Sequence, residues 1–448
     1  MKGLPLLLVA ALATACQQAA PPAAAPPAAL AAPVSAPSYA DELKAAEQAV
    51  REVQAAIARG PVVWPQWANL AGAQRAAAQL TGDYRYYLEA EQSLAQAFAL
   101  AGKGGPYLAR AQFNFSVHRL TRVEPDLVRA SAESDPDATA ILALRADLAF
   151  YHGEYDAALS GYRQALERRE DLPSLVRLAL WHARMGHVSE ALALLDRAEA
   201  IYHGDSQHPR AFLALQRGLI ELDRGRWERA LAHYQHALRL LPGWWLAAEH
   251  IAEIHALQGD TEAALREYGE VIQQTNHPEF MDAMAELLRA RGDETAAQGW
   301  ITKARQRYEE RLATLPEATY GHGLSHFLQF GTPAEALALA RKNHALRPYG
   351  EAQIQLAEAL LRAGEAREAE RLMRSALASG WRTAELHAIA AQAFAATGQR
   401  TEAARHSAQA RALNPRAARQ YGLPEEASAA QRTAIPLNSP PTSHPAPQ

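Results

Sequence analysis

The chain has 448 residues, with 45 basic and 49 acidic side chains and a formal net charge of -4. That balance argues against a nucleic-acid-binding protein, which ordinarily carries a basic face. Alanine, leucine, glutamate, glutamine and arginine dominate, and all are good helix formers. Because no segment alternates β-branched residues as a strand would, we predict an all-α fold with essentially no sheet.

Residues 1–15 have the pattern of a signal peptide, with a basic start at Lys2, an apolar stretch and small residues before the cleavage point. Cys16 follows directly and is the only cysteine in the chain. A small residue before cysteine resembles the bacterial lipobox, in which the cysteine is lipidated after cleavage, although Ala13 stands where that pattern prefers leucine. The alternative is ordinary cleavage after Ala15, which leaves Cys16 as a free thiol.

The lipobox resemblance implies an exported lipoprotein of the cell envelope that is attached to the membrane through lipid on Cys16. Gln17 after the cysteine favours the outer membrane, facing the periplasm, by analogy with enteric sorting rules. Residues 16–38 consist almost entirely of alanine and proline, which predicts an extended tether. Residues 416–448 are predicted to form a disordered tail, which is rich in proline, serine and threonine from Pro424 onward.

Residues 39–138 predict helix pairs of irregular length. Ser38 is a suitable cap for a helix from Tyr39 to Arg59, which Gly60-Pro61 would end. Further helices are expected on both sides of Thr81, and two more over residues 105–118 and 124–133.

Residues 139–415 contain a register of glycine and alanine that repeats eight times. The glycines lie 33, 34 or 39 residues apart, and an alanine stands five residues after each of them. A residue that is small in seven of the eight units stands seven residues before each glycine, with Leu324 the exception. The glycine–alanine pairs are Gly153 and Ala158, Gly186 and Ala191, Gly225 and Ala230, Gly259 and Ala264, Gly292 and Ala297, Gly331 and Ala336, Gly364 and Ala369, and Gly398 and Ala403.

This spacing predicts a helix pair in each unit. A glycine ends the first helix in a left-handed conformation, which costs little without a Cβ. The small residues before and after it let the two helices of a pair pack closely.

The pattern resembles the tetratricopeptide repeat (TPR), most clearly in GLIELDRGRWERALAHYQHALRLLP from Gly218 to Pro242. The resemblance implies an α-solenoid superhelix of about ten antiparallel helix pairs. Its concave face would be lined by the first helix of each pair, and TPR proteins generally use that face to bind peptides or partner helices.

The register places an acidic set in the middle of the predicted groove, which we interpret as a preference for a basic or polar partner segment. Leu219 and the adjacent Trp244 and Trp245 are further candidates for partner contact. The alternatives are that the acids are solvated helix faces and that the tryptophans pack between repeats or cover a helix end. The acidic set is Glu249, Glu253, Asp282 and Glu286.

The 17 histidines prompt a search for metal sites. His322 and His326 are spaced i, i+4, and His233 and His236 are spaced i, i+3, so each pair could offer two ligands to a transition metal. No HExxH, GxSxG or phosphate-binding glycine loop is present in the sequence. We therefore predict no cofactor and no enzyme.

The sequence favours a non-catalytic protein-protein interaction scaffold of the bacterial cell envelope, with an unidentified protein or peptide partner. The alternative is a periplasmic protein that binds or carries a metal or small ligand through its helix-borne histidines.

Overall fold

The computed structural model describes residues 37–102 and 104–424. The predicted signal peptide, Cys16, most of the tether and residues 425–448 of the tail lie outside the described residues. Within them the chain forms 22 α-helices and one 3-10 turn, with no strand, which confirms the all-α prediction.

The irregular N-terminal part contains five helices, which are α1 (Tyr39–Arg59), α2 (Trp64–Thr81), α3 (Tyr84–Leu100), α4 (Tyr107–Ser116) and α5 (Val123–Ser131). The regular part and the C-terminal helix are α6 (Ala138–Tyr151), α7 (Tyr155–Arg168), α8 (Leu172–Arg184), α9 (Val188–Ile201), α10 (His208–Asp223), α11 (Trp227–Leu240), α12 (Trp245–Gln258), α13 (Thr261–Thr275), α14 (Pro278–Ala290), α15 (Glu294–Thr314), α16 (Pro316–Phe330), α17 (Pro333–Leu346), α18 (Gly350–Arg362), α19 (Ala366–Ala378), α20 (Ala384–Ala396), α21 (Arg400–Leu413) and α22 (Ala417–Tyr421).

Helices α2 to α21 form ten successive pairs, in which each even-numbered helix packs most closely on the helix that follows it. Helix α1 packs on α2, and α22 packs on α20. Ser38 caps α1 through a reciprocal hydrogen-bond pair with Asp41, as its position before Tyr39 predicts. The chain is therefore a solenoid of TPR-like helix pairs.

Seven of the eight repeat glycines have positive φ, as predicted for left-handed helix ends. Gly331 is the exception, with φ -90° and ψ -179°, so the prediction is wrong there. Only Gly331 and Thr332 separate α16 from α17, and Thr332 precedes Pro333, which favours extended backbone over a left-handed turn.

The small residues of the register lie where helices of a pair meet. Seven of the eight repeat alanines, from Ala158 to Ala369, are fully buried, and only Ala403 in the last pair is partly exposed. Tyrosines of the second helices fill the space beside them, and Tyr162, Tyr234 and Tyr268 are all buried. A Cβ at Gly218 would overlap the ring of Tyr234, so that glycine permits the ring to pack there.

The solenoid coils so tightly that its successive turns touch. The Tyr155 hydroxyl accepts a hydrogen bond from the Gly350 backbone, 195 residues away, at 2.8 Å. The Asn414 side-chain amide donates to the Asp223 carbonyl, 191 residues away. The Trp245 indole donates to the Leu80 carbonyl at 3.1 Å. Contacts at this sequence separation mean that about six units complete one turn, and they close the groove between turns.

Aromatic side chains fill the seam where the two turns meet. Phe150, Tyr151 and Tyr155 of the earlier turn pack against Tyr349 and Trp381 of the later one, with ring centroids 4.9–6.3 Å apart. The Arg382 backbone amide also donates to the Arg184 carbonyl across this seam at 2.9 Å. The closed coil is therefore held by a continuous apolar contact as well as by hydrogen bonds.

The predicted start of the disordered tail, at residue 416, is placed too early in the sequence. Residues 416–424 are described, and α22 places Tyr421 in a buried position against α20. Proline and serine are concentrated after residue 424, so the local composition of residues 416–424 did not support the boundary. Among the described helices, none is long and apolar enough to cross a membrane.

Candidate functional site

The closed coil encloses a cavity of about 330 Å³ at the centre of the solenoid. Its wall is built mainly from the first helices of successive pairs, α10 to α20, with α22 at one end. Eight carboxylates and two arginines contribute to this lining. They are Asp223, Glu253, Glu279, Asp282, Glu286, Glu351, Glu358 and Glu385, with Arg184 and Arg362.

The two arginines neutralise only part of this charge. Arg184 lies 3.0 Å from Asp223, and Arg362 lies 3.6 Å from Glu358. Of the other six carboxylates, Glu253 contacts His250, Asp282 contacts His326, and Glu279 lies 3.8 Å from Arg311. The carboxylates still outnumber the basic side chains, so the cavity wall has an acidic excess.

The groove positions predicted from the register lie on this wall. Leu219, Glu253 and Glu286 stand six residues before their glycines, and all three line the cavity. Asp147 occupies the same register position near the start of the regular part. It is fully buried and paired, and it does not line the cavity. The alternative that these acids are solvated helix faces is wrong for Glu249, Glu253 and Asp282, which are all more than nine-tenths buried, whereas Glu286 is partly exposed.

Glu249, His250 and Glu253 form one compact buried group on α12. His250 Nε2 lies 3.0 Å from Glu249 Oε1, and His250 Nδ1 lies 3.0 Å from Glu253 Oε2. The ring of Tyr234 stacks on the imidazole with centroids 5.0 Å apart. Burial raises the pKa of Glu249 to about 8, against the opposing charge of His250. Burial alone would lower the pKa of His250, but the two carboxylates raise it.

A second group joins α14, α15 and α16. Asp282 accepts hydrogen bonds from the Tyr308 hydroxyl at 3.1 Å and faces His326 Nδ1 at 2.7 Å. Glu279 Oε1 lies 3.5 Å from His322 Nδ1. Burial lowers the pKa of His322 to about 4, although the Glu279 charge opposes that shift.

At Glu279 the neighbouring charges outweigh the effect of burial on the pKa, unlike at His322. Burial alone would raise its pKa, but its contact with His277 and the positive charge of Arg311 lower it to about 2. Glu279 therefore keeps a negative charge beside the cavity at neutral pH.

The predicted role of Trp244 and Trp245 in partner contact is wrong, because both side chains are buried. Trp245 bonds to Leu80 across the two turns, and the ring of Trp244 packs edge-on against His208. Their apolar surface is already used in packing between helices, as the alternative interpretation stated.

The predicted histidine pairs do not meet at shared sites. His322 faces Glu279, whereas His326 faces Asp282, so the two imidazoles serve different carboxylates. His233 and His236 are partly exposed on α11. Within the described residues, one set of three metal-ligand side chains converges, and it is Glu249, His250 and Glu253.

Sequence reasoning missed the role of His250 and His322, although the register contained the signal. Both stand nine residues before a repeat glycine; His322 reaches Glu279 of the preceding unit, whereas His250 contacts Glu249 and Glu253 of its own helix. Arg177 occupies the same position and contacts Asp147. A comparison of this position in all eight units shows that its side chain changes between apolar, basic, amide and imidazole types. The residues are Leu144, Arg177, Gln216, His250, Ala283, His322, Gln355 and Ile389.

No protein-family model matches the sequence, and no curated protein matches it significantly. Among solved structures, the chain is similar to a human IFIT1 dimer with PPP-AAAA, at 15% identity and a TM-score of 0.41, over 84% of this chain and 86% of that one. It is also similar to the APC/C hetero-tetramer Cut9-Hcn1, at 14% identity and a TM-score of 0.39, over 86% and 83% of the two chains. MamA matches 38% of this chain and 96% of its own, at 16% identity and a TM-score of 0.30. These structures are TPR-type helical repeat proteins, and the likeness concerns the fold alone.

Proposed function

We propose that this protein is a non-catalytic interaction scaffold that takes a basic segment of a partner protein into its acidic central cavity. The observation that carries the proposal is the charge of the cavity wall, on which eight carboxylates face two arginines. Because both arginines already pair with wall carboxylates, the remaining charge is complementary to lysine or arginine side chains.

The dimensions of the cavity favour a short segment over a folded domain. Its volume of about 330 Å³ is at the lower end of the range typical of ligand pockets, roughly 300–1,000 Å³. Such a space admits one or two long side chains and the backbone that carries them. An extended partner segment, with its basic side chains directed at Glu253 and Glu286, fits both the size and the charge.

We further propose that the protein acts in the cell envelope, exported by its N-terminal signal and anchored by lipid on Cys16. Support comes from the sequence, in which the only cysteine stands at the predicted cleavage point. Growth of expressing cells with radioactive palmitate tests this proposal. We expect label on the wild-type protein and none on Cys16→Ser, whereas an unlabelled wild-type protein would refute lipidation.

The binding proposal is tested with a fluorescent peptide of alternating lysine and alanine, titrated with the purified protein and followed by anisotropy. We expect saturable binding that weakens with salt, because the attraction is electrostatic. The double variant Glu286→Gln, Glu358→Gln should bind at least about tenfold more weakly, a loss of ~1.4 kcal/mol. The matched control is Glu167→Gln, Glu190→Gln, which removes two exposed carboxylates from α7 and α9.

Equal affinity of the two double variants would contradict the proposal, since it would show that net charge alone attracts the peptide. Competition with spermidine distinguishes the small-ligand alternative. If spermidine displaces the peptide only at concentrations much higher than that of the peptide, the site is one for a peptide. Saturable spermidine binding without any peptide binding would favour the small-ligand function instead.

A further inference from the structure

The geometry of α12 points to a second site, which takes a different ligand and shares only Glu253 with the peptide-binding proposal. One ligand atom from each of Glu249, His250 and Glu253 lies within 4.8 Å of the other two. Around a tetrahedral ion with ligands at ~2.0–2.1 Å, neighbouring ligand atoms lie roughly 3.4 Å apart. One ion would take one of the two His250 nitrogens, and the separation of 3.0 Å between His250 Nε2 and Glu249 Oε1 is close to that spacing, as is the separation of 3.0 Å between His250 Nδ1 and Glu253 Oε2.

The buried polar atoms around this group lack partners. Both carboxylate oxygens of Glu249 are without a hydrogen bond, although its side chain is fully buried. The hydroxyl of Tyr234, which is also fully buried and whose ring stacks on His250, has no partner either. Buried polar atoms in native proteins nearly always have a partner, so unpartnered ones indicate that a water or an ion binds there.

A simple buried ion pair does not explain the arrangement. His250 makes a hydrogen-bond contact with Glu253, whereas its approach to Glu249 gives that carboxylate no hydrogen bond. Two buried carboxylates therefore share one imidazole. A divalent cation bound there would stabilise the ionised form of both carboxylates.

We propose that Glu249, His250 and Glu253 bind one divalent transition-metal cation of the zinc type. One imidazole and two carboxylates are ligands that zinc accepts, and three protein ligands leave a fourth coordination position. His250 and Glu253 line the central cavity, so the cavity provides the entry path and the open position faces it. Glu249 is fully buried and does not line the cavity.

The test uses the whole mature protein, purified without a histidine tag, treated with chelator and titrated with zinc by calorimetry. Wild-type protein should bind zinc with a stoichiometry of one. His250→Gln should bind at least about tenfold more weakly, because losing a ligand costs no less than losing an outer-shell partner. The matched control is His255→Gln on the same helix, where the imidazole contacts Glu267 at 2.7 Å; it should bind as wild type.

A second readout keeps the proposal testable if His250→Gln does not fold. Glu249→Gln keeps the shape of the side chain and removes its charge. Zinc should raise the unfolding temperature of wild type, because a ligand that binds only the native state stabilises it, and it should not raise that of Glu249→Gln. Absence of saturable zinc binding by wild type, or unchanged binding by folded His250→Gln or Glu249→Gln, would overturn the proposal.

This outcome is independent of the peptide experiment. Glu286→Gln, Glu358→Gln alters the cavity wall and leaves the three zinc ligands in place, so it should bind zinc as wild type does. Loss of peptide binding with retained zinc binding is the result that both proposals together predict for this variant.

Discussion

Two equivalent positions of the repeat, Asp147 and Glu253, show how one register produces two kinds of buried acid. Each stands six residues before its glycine, and each unit has a tyrosine nine residues after that glycine. Asp147 receives two hydrogen bonds from Arg177 and one from Tyr162, and it is fully buried. At the position that would supply the arginine to Glu253, the next unit carries Ala283, which lines the cavity.

The difference distinguishes groove acids that stabilise the fold through an ion pair from groove acids that can bind a partner. Near the start of the regular part, Arg177 from the first helix of the next pair neutralises the acid, and Asp147 does not line the central cavity. In the middle of the chain, Ala283 stands at the position of Arg177. Its small side chain leaves space in the cavity and supplies no positive charge to Glu253. Glu253 contacts His250 of its own helix but receives no arginine from the neighbouring unit, and it lines the cavity.

The largest effect is expected at the neutralised position. Arg177→Ala leaves Asp147 buried without its main partner, which should lower the free energy of unfolding by about 3–5 kcal/mol. Urea-induced unfolding followed by circular dichroism measures this change. The control is Arg197→Ala, which breaks an exposed pair with Glu170 and should cost much less, because water screens exposed charges. Equal losses in the two variants would remove the distinction between the two regions.

The pH dependence of stability should separate the two regions further, because His322 occupies the register position of Arg177 but can lose its charge. Burial, with Arg347, Arg311 and His277 nearby, keeps the folded pKa of His322 at about 4, below its value in the unfolded chain; only Glu279 opposes this shift. The unfolded state therefore binds more protons between these values, and the stability present above pH ~6.5 is lost as the pH falls towards 4.

Between pH 7 and pH 5 this one group should cost about 2 kcal/mol. The measurement is the urea midpoint at both pH values for wild type and His322→Gln, and the variant should lose less on acidification. A variant of the partly exposed His236 serves as the control. An identical pH response of wild type and His322→Gln would contradict the assignment.

A smaller effect tests how Tyr234 is seated beside His250. Gly218→Ala places a methyl group against the tyrosine ring, which should destabilise the protein by about 1–3 kcal/mol. Gly299→Ala is the matched control, because a Cβ there meets nothing within 4 Å inside α15. It should stabilise by up to about 1 kcal/mol, since alanine favours helix more than glycine does. Thermal unfolding of both variants should therefore shift in opposite directions.

The smallest effect compares two tyrosine hydroxyls at the same register position. Tyr162→Phe removes a hydrogen bond to Asp147 and should cost about 1 kcal/mol. Tyr234→Phe removes a hydroxyl that has no partner and should be neutral or slightly stabilising in chelator-treated protein. A loss of stability in Tyr234→Phe equal to that in Tyr162→Phe would show that the hydroxyl is satisfied after all.

Much of the fold could be predicted from sequence because its determinants are local. Glycine and alanine at fixed spacing dictate where helices end and approach, and Ser38 marks the start of α1. The groove positions, such as Glu253 and Glu286, follow from the same register. The closure of the coil could not be read in this way, because it depends on contacts such as Tyr155 to Gly350, 195 residues apart. That closure also buries Trp245, whose partner Leu80 lies in the other turn.

The central claim is tested most directly by supplying the arginine that the cavity lacks. In Ala283→Arg the new side chain occupies the register position of Arg177, and it should pair with Glu253 as Arg177 pairs with Asp147. Affinity for the lysine–alanine peptide should fall at least about tenfold, ~1.4 kcal/mol, whereas Ala283→Met, of similar length but uncharged, should stay within about threefold of wild type. Equal peptide affinity of the arginine and methionine variants would contradict the claim that the acidic wall of the groove forms the binding site.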